Sequence, residues 1–287
     1  MIAFRTDMER ALTSIGYGLA VLGTILALLA GAFHGLWVNS ELVETQGLVY
    51  GYHWQLLKQG LQSEAYIFAV PIISTLGFGG AYLEEMKSGY YKFALPRYGR
   101  KTYAVVKVIV SILTGMVAVW LGVLLTALIY WLVYAPMELN AVQAEQTGRV
   151  AAVLYEYADG AIRTVNGEIA GVEVSGAVHS PMIVVLLQWS AMAGLMGGVW
   201  AGIGCMFAIL YQNRYMAYGA SFLTSYLIII IITRFFDKLY IWNPREWFRQ
   251  SGYWQGGNLG VMMILAEWII ILAILDLLIM RRRLAPS

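Results

Sequence analysis

The sequence predicts an all-α polytopic membrane protein with six transmembrane helices. Of the 287 residues, 60% are hydrophobic and 13% are charged, and that charged share is about half of what an ordinary soluble domain carries. Apolar runs of about twenty residues recur along the chain, and runs of this length are typical of membrane-spanning helices. The uneven placement of lysine and arginine then predicts the orientation.

The six predicted spans divide the chain into a single transmembrane domain. They cover residues of about 15–37, 65–82, 103–134, 182–211, 215–236 and 259–280. Pro71 predicts a kink in the second span. The third segment is longer than one bilayer crossing, so we expect it to tilt or to project from the membrane.

The segment before the first span, MIAFRTDMERALTSI, is typical of a helix that lies along a membrane surface. Its apolar side chains share one helical face, and its charged side chains fall mainly elsewhere. The first span has an Ala-x-Ala pattern like that of a signal peptide. Because its apolar run is long enough to span a bilayer, we interpret it as a retained helix.

Three connections are long enough to hold structure on the outer side. Residues 38–64 contain HWQLLKQGLQ, which is typical of a short interfacial helix. Residues 135–180 form the largest connection, and AIRTVNGEIAGVEV within it predicts a small β-hairpin around Asn166-Gly167. Residues 237–258 are rich in Trp and Tyr, which favours interfacial or partly re-entrant helices.

Lysine and arginine lie mainly on one side of the predicted membrane. With six spans, that side holds both termini, the connection 84–107, the turn at 211–215 and the basic tail 281–283. It carries twelve of the 19 Lys and Arg residues but five of the 17 acids. Because basic residues are enriched in cytoplasmic connections, we expect both termini to be cytoplasmic.

The connection 84–107, EEMKSGYYKFALPRYGRKTYAVVK, is the most heavily charged part of the chain. From Tyr82 to Leu95, apolar residues recur at helical spacing and charged residues take the other positions, which predicts one short amphipathic helix. We expect Pro96 to end it, because the residue before a proline avoids the helical region. From periodicity alone, a charged loop that sets topology and a docking helix for a soluble partner are both open.

The order of residues in this connection resembles that between the second and third spans of ABC-2 type transporter permeases. An acid pair, a glycine, an arginine and a lysine follow one another as they do in that family, and the interfacial entry into the first span is also similar. The resemblance implies that the connection holds a coupling helix for an ATPase subunit. The implied coupling residues are Glu84, Glu85, Lys87, Gly89, Lys92, Arg100 and Lys107.

The resemblance implies the membrane subunit of an ABC exporter in a bacterial plasma membrane, with a peptide, a drug or a lipid-like molecule as cargo. It implies two ATPase subunits that bind ATP and Mg, and a second permease subunit that is identical or related. We expect contacts with membrane lipids and none with nucleic acid. The chain has no G-x-x-x-x-G-K-[ST] loop, so we expect no ATP hydrolysis by the chain itself. Its connection 135–180 is longer than is usual in the family.

Few other residues suggest a site. Glu267 lies about ten residues into the last span, where charge is costly, and a role in a transport pathway and a structural role are both open. Asp276 lies about one turn before Arg281, which predicts an ion pair. The three histidines lie far apart in the sequence and the single cysteine lies in an apolar run, so we expect no metal site, no catalytic residue and no bound cofactor.

The fourth span carries Gly194, Gly198 and Gly202 at four-residue intervals. Small residues on one stripe let helices approach closely, which predicts a packing face. The partner helix belongs either to the same chain or to a second subunit.

Two other functions remain open. A self-contained secondary transporter or channel would place several ionisable residues near the middle of the membrane, where this chain has few besides Glu267 and Gln188. A membrane sensor or immunity protein would use the connection 135–180 to bind an external ligand.

Overall fold

The computed structural model describes residues 2–38, 40, 52–77, 81–137, 182–236, 241–248 and 257–284. These residues are 92% helical and contain no strand, so the all-α class is confirmed for this part of the chain. The hairpin predicted around Asn166-Gly167 lies outside the described residues.

The described part of the chain contains ten α-helices and a short 3-10 turn, Ala135–Met137, after the seventh. The helices are α1 (Ile2–Leu12), α2 (Ile15–Val38), α3 (Tyr52–Gln62), α4 (Glu64–Leu76), α5 (Ala81–Ser88), α6 (Tyr91–Tyr98), α7 (Arg100–Tyr134), α8 (Met182–Tyr211), α9 (Arg214–Phe235) and α10 (Gly257–Arg283).

Five of these helices, α2, α7, α8, α9 and α10, are long and apolar enough to cross a membrane. The predicted second span corresponds to α4, which is apolar but has 13 residues. At 1.5 Å per residue this is about 20 Å, shorter than a hydrocarbon core of about 30 Å. The chain is therefore a multi-pass helical protein with five candidate spans in its described part, and Pro71 lies inside α4.

α7 and α8 form the centre of the bundle, where glycines let the two backbones approach. A Cβ atom on Gly197 of α8 would lie 2.7 Å from the carbonyl oxygen of Gly115 of α7, closer than real contacts allow. Of the apolar stretch of α8, 78% is buried, against 17% for α10. Gly194 faces α7 and Gly202 faces Leu272 of α10, so the predicted glycine face packs within the chain.

One end of the bundle, here called the basic end, carries α1, α5, α6 and the last turn of α10. Arg283 donates from Nη2 to the carbonyl oxygen of Leu210 at 2.8 Å, which joins α10 to the end of α8. Tyr82 of α5 and Met280 of α10 belong to the same buried apolar cluster. The exposed bases at this end include Lys87, Lys92, Arg97, Arg100, Lys101 and Arg281 to Arg283.

Segment 241–248 packs against α3 and α4. Gln62 donates to the carbonyl oxygen of Phe248 at 2.9 Å, and Arg245 pairs with Glu64. The segment consists of a short 3-10 stretch and turns, so the interfacial helices predicted for 237–258 are not seen here. The remainder of that prediction falls outside the described residues.

The connection before α7 forms two short helices where one was predicted. Gly89 separates them with a φ of 72°, a left-handed conformation that costs glycine little. Pro96 lies inside α6, so the prediction that it ends the helix is wrong. The end is set by Gly99, which has a φ of 77° and donates its N–H to the carbonyl oxygen of Leu95 at 2.9 Å.

Candidate functional site

The candidate site is a network of ion pairs at the basic end, centred on Glu85. This side chain points from α5 into the bundle and is 5% exposed, whereas that of Glu84 is exposed. Its Oε1 accepts from Lys107 Nζ at 2.6 Å and from Arg10 Nη1 at 3.1 Å. Its Oε2 accepts from the Tyr103 hydroxyl at 2.7 Å, so both carboxylate oxygens have partners.

Lys107 extends the network to the N-terminal helix. Its side chain is 3% exposed, and Nζ lies 2.8 Å from Asp7 Oδ2 of α1 as well as 2.6 Å from Glu85. Tyr103 and Lys107 are one turn apart on α7, so both side chains reach the same carboxylate. Asp7 and Arg10 are three residues apart on α1; Asp7 pairs with Lys107, and Arg10 pairs with Glu85. The network therefore ties α1, α5 and α7 together.

Charge is balanced within the network, because two acids face two bases. A buried charge is costly unless it is paired and hydrogen-bonded. Arg10 is the member nearest to solvent, with a side chain 50% exposed, and its guanidinium lies 5.3 Å from the ring centre of Tyr90. A cavity of about 20 Å³ borders Asp7, Glu85 and Lys107, which is room for about one water molecule.

The predicted coupling residues fall into two groups. Glu85 and Lys107 point inward and contact each other, whereas Glu84, Lys87, Lys92 and Arg100 are exposed. Gly89 forms the turn between α5 and α6. The sequence grouped these residues in one connection, whereas Arg100 and Lys107 lie in α7, and it did not separate the internal pair from the outward charges.

The outward side of α5 and α6 forms a mixed charged and aromatic surface. We define the α5–α6 surface as Glu84, Lys87, Tyr90, Lys92, Phe93 and Arg97, all of which are exposed. Phe93 is 78% exposed and lies between two bases. An exposed aromatic side chain beside charges is typical of a protein contact.

Tyr82 fixes α5 to the end of α10. It is 4% exposed, and burial raises the pKa of its hydroxyl above the ordinary value, while the nearby Arg283 opposes that rise. Tyr82 therefore remains neutral at physiological pH. The position of Arg283 shows that the basic tail lies beside the α5–α6 connection.

Sequence reasoning missed three members of the network, which are Asp7, Arg10 and Tyr103. A signal was present, because Lys107 follows the apolar triplet Ala104-Val105-Val106, and a base inside a span requires a buried acid. The sequence offers several acids, and only the fold selects Asp7 and Glu85.

The two acids of the last span lie in opposite environments. Glu267 is exposed on α10, and at 1.5 Å per residue it lies about 21 Å from Arg281, near the middle of the helix. Asp276 is fully buried, and neither carboxylate oxygen has a hydrogen-bond partner among the described residues. The predicted pair between Asp276 and Arg281 is therefore wrong: Asp276 faces the bundle, while Arg281 is exposed.

No family model, no curated protein and no solved structure matches the chain. Within the described ranges, no group of three or more His, Cys, Asp or Glu side chains is placed to hold a metal ion. The basic end and the candidate spans are therefore the features that indicate a function.

Proposed function

We propose that the chain is the membrane subunit of an ATP-driven exporter of the ABC-2 permease type. The observation that supports this most is the α5–α6 connection. Its outward surface is charged and aromatic, and its inward side is fixed by Glu85 to the long helix α7. A segment that is displaced by a soluble ATPase needs an exposed surface for docking and a fixed contact with a membrane helix.

In this proposal the α5–α6 surface docks on a separate ATPase subunit. Two such subunits bind ATP and Mg, and their closure displaces α5 and α6. The pair between Glu85 and Lys107 passes the displacement to α7, which packs on α2 and α8 in the centre of the bundle. The chain itself hydrolyses nothing.

The proposal includes six crossings, with α4 as the second. The basic end then faces the cytoplasm of a bacterial cell, because bases are enriched on that side. A second permease subunit, identical or related, completes the pathway. The cargo is a peptide, a drug or a lipid-like molecule that leaves the cell.

The exposed Glu267 supports the second subunit. A charged group that faces lipid near the middle of a bilayer is costly, and Glu267 is exposed on the isolated chain. A second chain that covers this face of α10 would remove that cost. Whether Glu267 also contacts cargo depends on where the pathway lies.

The test is purification of the full chain from its native membranes in a gentle detergent, followed by identification of bound proteins and an ATPase assay. A P-loop ATPase that co-purifies with ATPase activity is the expected result. Purification of the chain without a bound ATPase and without ATPase activity overturns the proposal.

A second candidate is an ion-coupled secondary transporter, and one observation favours it. Asp276 is a buried acid without a partner in the described part of the bundle, as such transporters use. The same purification separates the two functions, because a secondary transporter needs no ATPase.

A further inference from the structure

Asp276 occupies a position that an apolar residue would normally take. The buried residues of α10 recur along one stripe, at Val261, Leu265, Leu272, Asp276 and Met280. Asp276 is 0% exposed, whereas its neighbours in sequence, Leu275 and Leu278, are more than one third exposed. The carboxyl group is therefore held inside the bundle by the register of the helix.

A buried thiol lies near Asp276, and a buried hydroxyl lies beside that thiol. α10 packs on α8 and α7, and the buried thiol of Cys205 on α8 lies within electrostatic range of the carboxyl group. Ser111 on α7 lies beside that thiol, and its hydroxyl makes no hydrogen bond of acceptable geometry within the described residues. Cys205 is thus the neighbour that Asp276 and Ser111 share.

Two bases at the basic end of α10 and α7, Arg283 and Lys107, belong to other contacts. Arg283 follows Asp276 by seven residues, about 10 Å along the axis, and donates to the carbonyl oxygen of Leu210 beside Tyr82. Lys107, one turn before Ser111 on α7, lies against Asp7 and Glu85. No base is paired with Asp276 in the part of the chain that the structure describes.

We propose that Asp276 is a binding site for a monovalent cation, either a proton or a sodium ion, taken up from the basic end. A bare carboxylate in a dry bundle is strongly unfavourable, so its charge must be neutralised by a species that the surrounding helices do not supply. A proton would convert the carboxylate to a carboxylic acid. A sodium ion would bind its oxygens, with the Ser111 hydroxyl as an additional oxygen ligand.

The basic end is the entry side that the position of Ser111 favours. The cavity of about 20 Å³ at the basic end borders Lys107, and Ser111 lies one helical turn further along the same helix. Entry from the basic end would therefore bring a cation to Ser111, the oxygen that we assign to the site. This site is independent of the proposed ATPase contact.

Infrared difference spectroscopy on the full chain in liposomes tests the proposal. One arm steps the pH, and the other replaces choline chloride by sodium chloride at constant pH. The expected result is a carboxyl band that changes in at least one arm, disappears in Asp276→Asn and persists in the control Glu267→Gln. A response to pH alone assigns a proton, and a response to sodium assigns the metal ion.

Identical difference spectra for the wild type and Asp276→Asn in both arms would overturn the proposal. Should that variant fail to fold, Ser111→Ala provides the second test. Loss of the neighbouring hydroxyl must then shift the pH midpoint or the sodium midpoint of the band. A band with unchanged midpoints in Ser111→Ala, or no responsive band at all, contradicts the site.

Discussion

Lys107 Nζ lies 2.6 Å from Glu85 Oε1, and this contact joins two residues that are 22 positions apart in the sequence. The same amine lies 2.8 Å from Asp7 of the N-terminal helix. Because both Glu85 and Lys107 are buried, this contact is a fixed connection between α5 and α7 that solvent does not weaken. In the proposed function, this contact passes the displacement of α5 to α7.

Removing one charge of this pair should destabilise the protein strongly. In Glu85→Gln, Lys107 keeps Asp7 but loses its closer partner, and Arg10 and Tyr103 lose theirs as well. Breaking a buried pair typically costs roughly 3–5 kcal/mol. Thermal unfolding of the purified chain in detergent should show a clearly lowered Tm, while the exposed Glu84→Gln should leave Tm nearly unchanged.

A double-mutant cycle isolates the contact itself. Glu85→Gln combined with Lys107→Met should cost less than the sum of the two single variants, because no uncompensated charge remains from the pair. Strict additivity of the two effects would show that Glu85 and Lys107 do not interact.

Tyr103→Phe removes one hydrogen bond and keeps the ring. The Tyr103 hydroxyl donates to Glu85 Oε2 at 2.7 Å, and a hydrogen bond to a charged group contributes about 1.5–3 kcal/mol. Chemical unfolding should report a loss in that range in the otherwise native chain. A loss as small as that of the exposed Tyr90→Phe would contradict the geometry.

The crossing of α7 and α8 should tolerate no added methyl group. A Cβ on Gly115 would clash with Cβ of Ala201 and would lie 3.0 Å from the carbonyl oxygen of Gly197, so Gly115→Ala must push the helices apart. Gly219→Ala on α9 is the matched control, because nothing lies within 4 Å of its added Cβ. Thermal unfolding should show a lower Tm for the first variant and an equal or higher Tm for the second.

Glu267 should lie near a second permease subunit. Cys205 is buried, so a cysteine introduced as Glu267→Cys offers one reactive thiol for oxidative or bifunctional cross-linking in membranes. A covalent dimer, or a link to a related permease, is the expected product, and Leu265→Cys on the buried side should give none. Free reaction of the Glu267→Cys thiol with a lipid-soluble maleimide and no cross-link would place this face against lipid.

The sequence was most informative where one physical rule dominates. Hydrophobic length placed the five long helices within a few residues, and glycine spacing predicted the face on which α8 packs. It was less informative for the second span, because the apolar run around Pro71 ends as a 13-residue helix.

The misses share one cause, which is that a side chain's partner depends on tertiary contacts. Glu84 and Glu85 are adjacent in sequence, yet one is exposed and the other is buried against Lys107. Asp276 has Arg281 close by in the chain, but the helix turns the carboxyl group inward and the base outward. The sequence contains both Gly89 and Pro96 in this connection. The helix is interrupted at Gly89, which has a positive φ, and not at Pro96.

We propose that the α5–α6 surface docks on an ATPase, and a comparison of surface variants tests this contact. The variant Glu84→Lys/Lys87→Glu/Lys92→Glu reverses exposed charges and leaves Glu85 and Lys107 in place. The control Arg5→Glu/Glu9→Arg exchanges the exposed pair on α1 at the same end, where Arg5 Nε lies 2.7 Å from Glu9 Oε1.

Both variants are purified from native membranes beside the wild type, and the bound P-loop ATPase is quantified. We expect the triple variant to fold with an unchanged Tm and to lose the bound ATPase. The control should retain the ATPase. Equal recovery of the ATPase with all three chains would place the contact elsewhere, and its absence from all three would contradict the exporter.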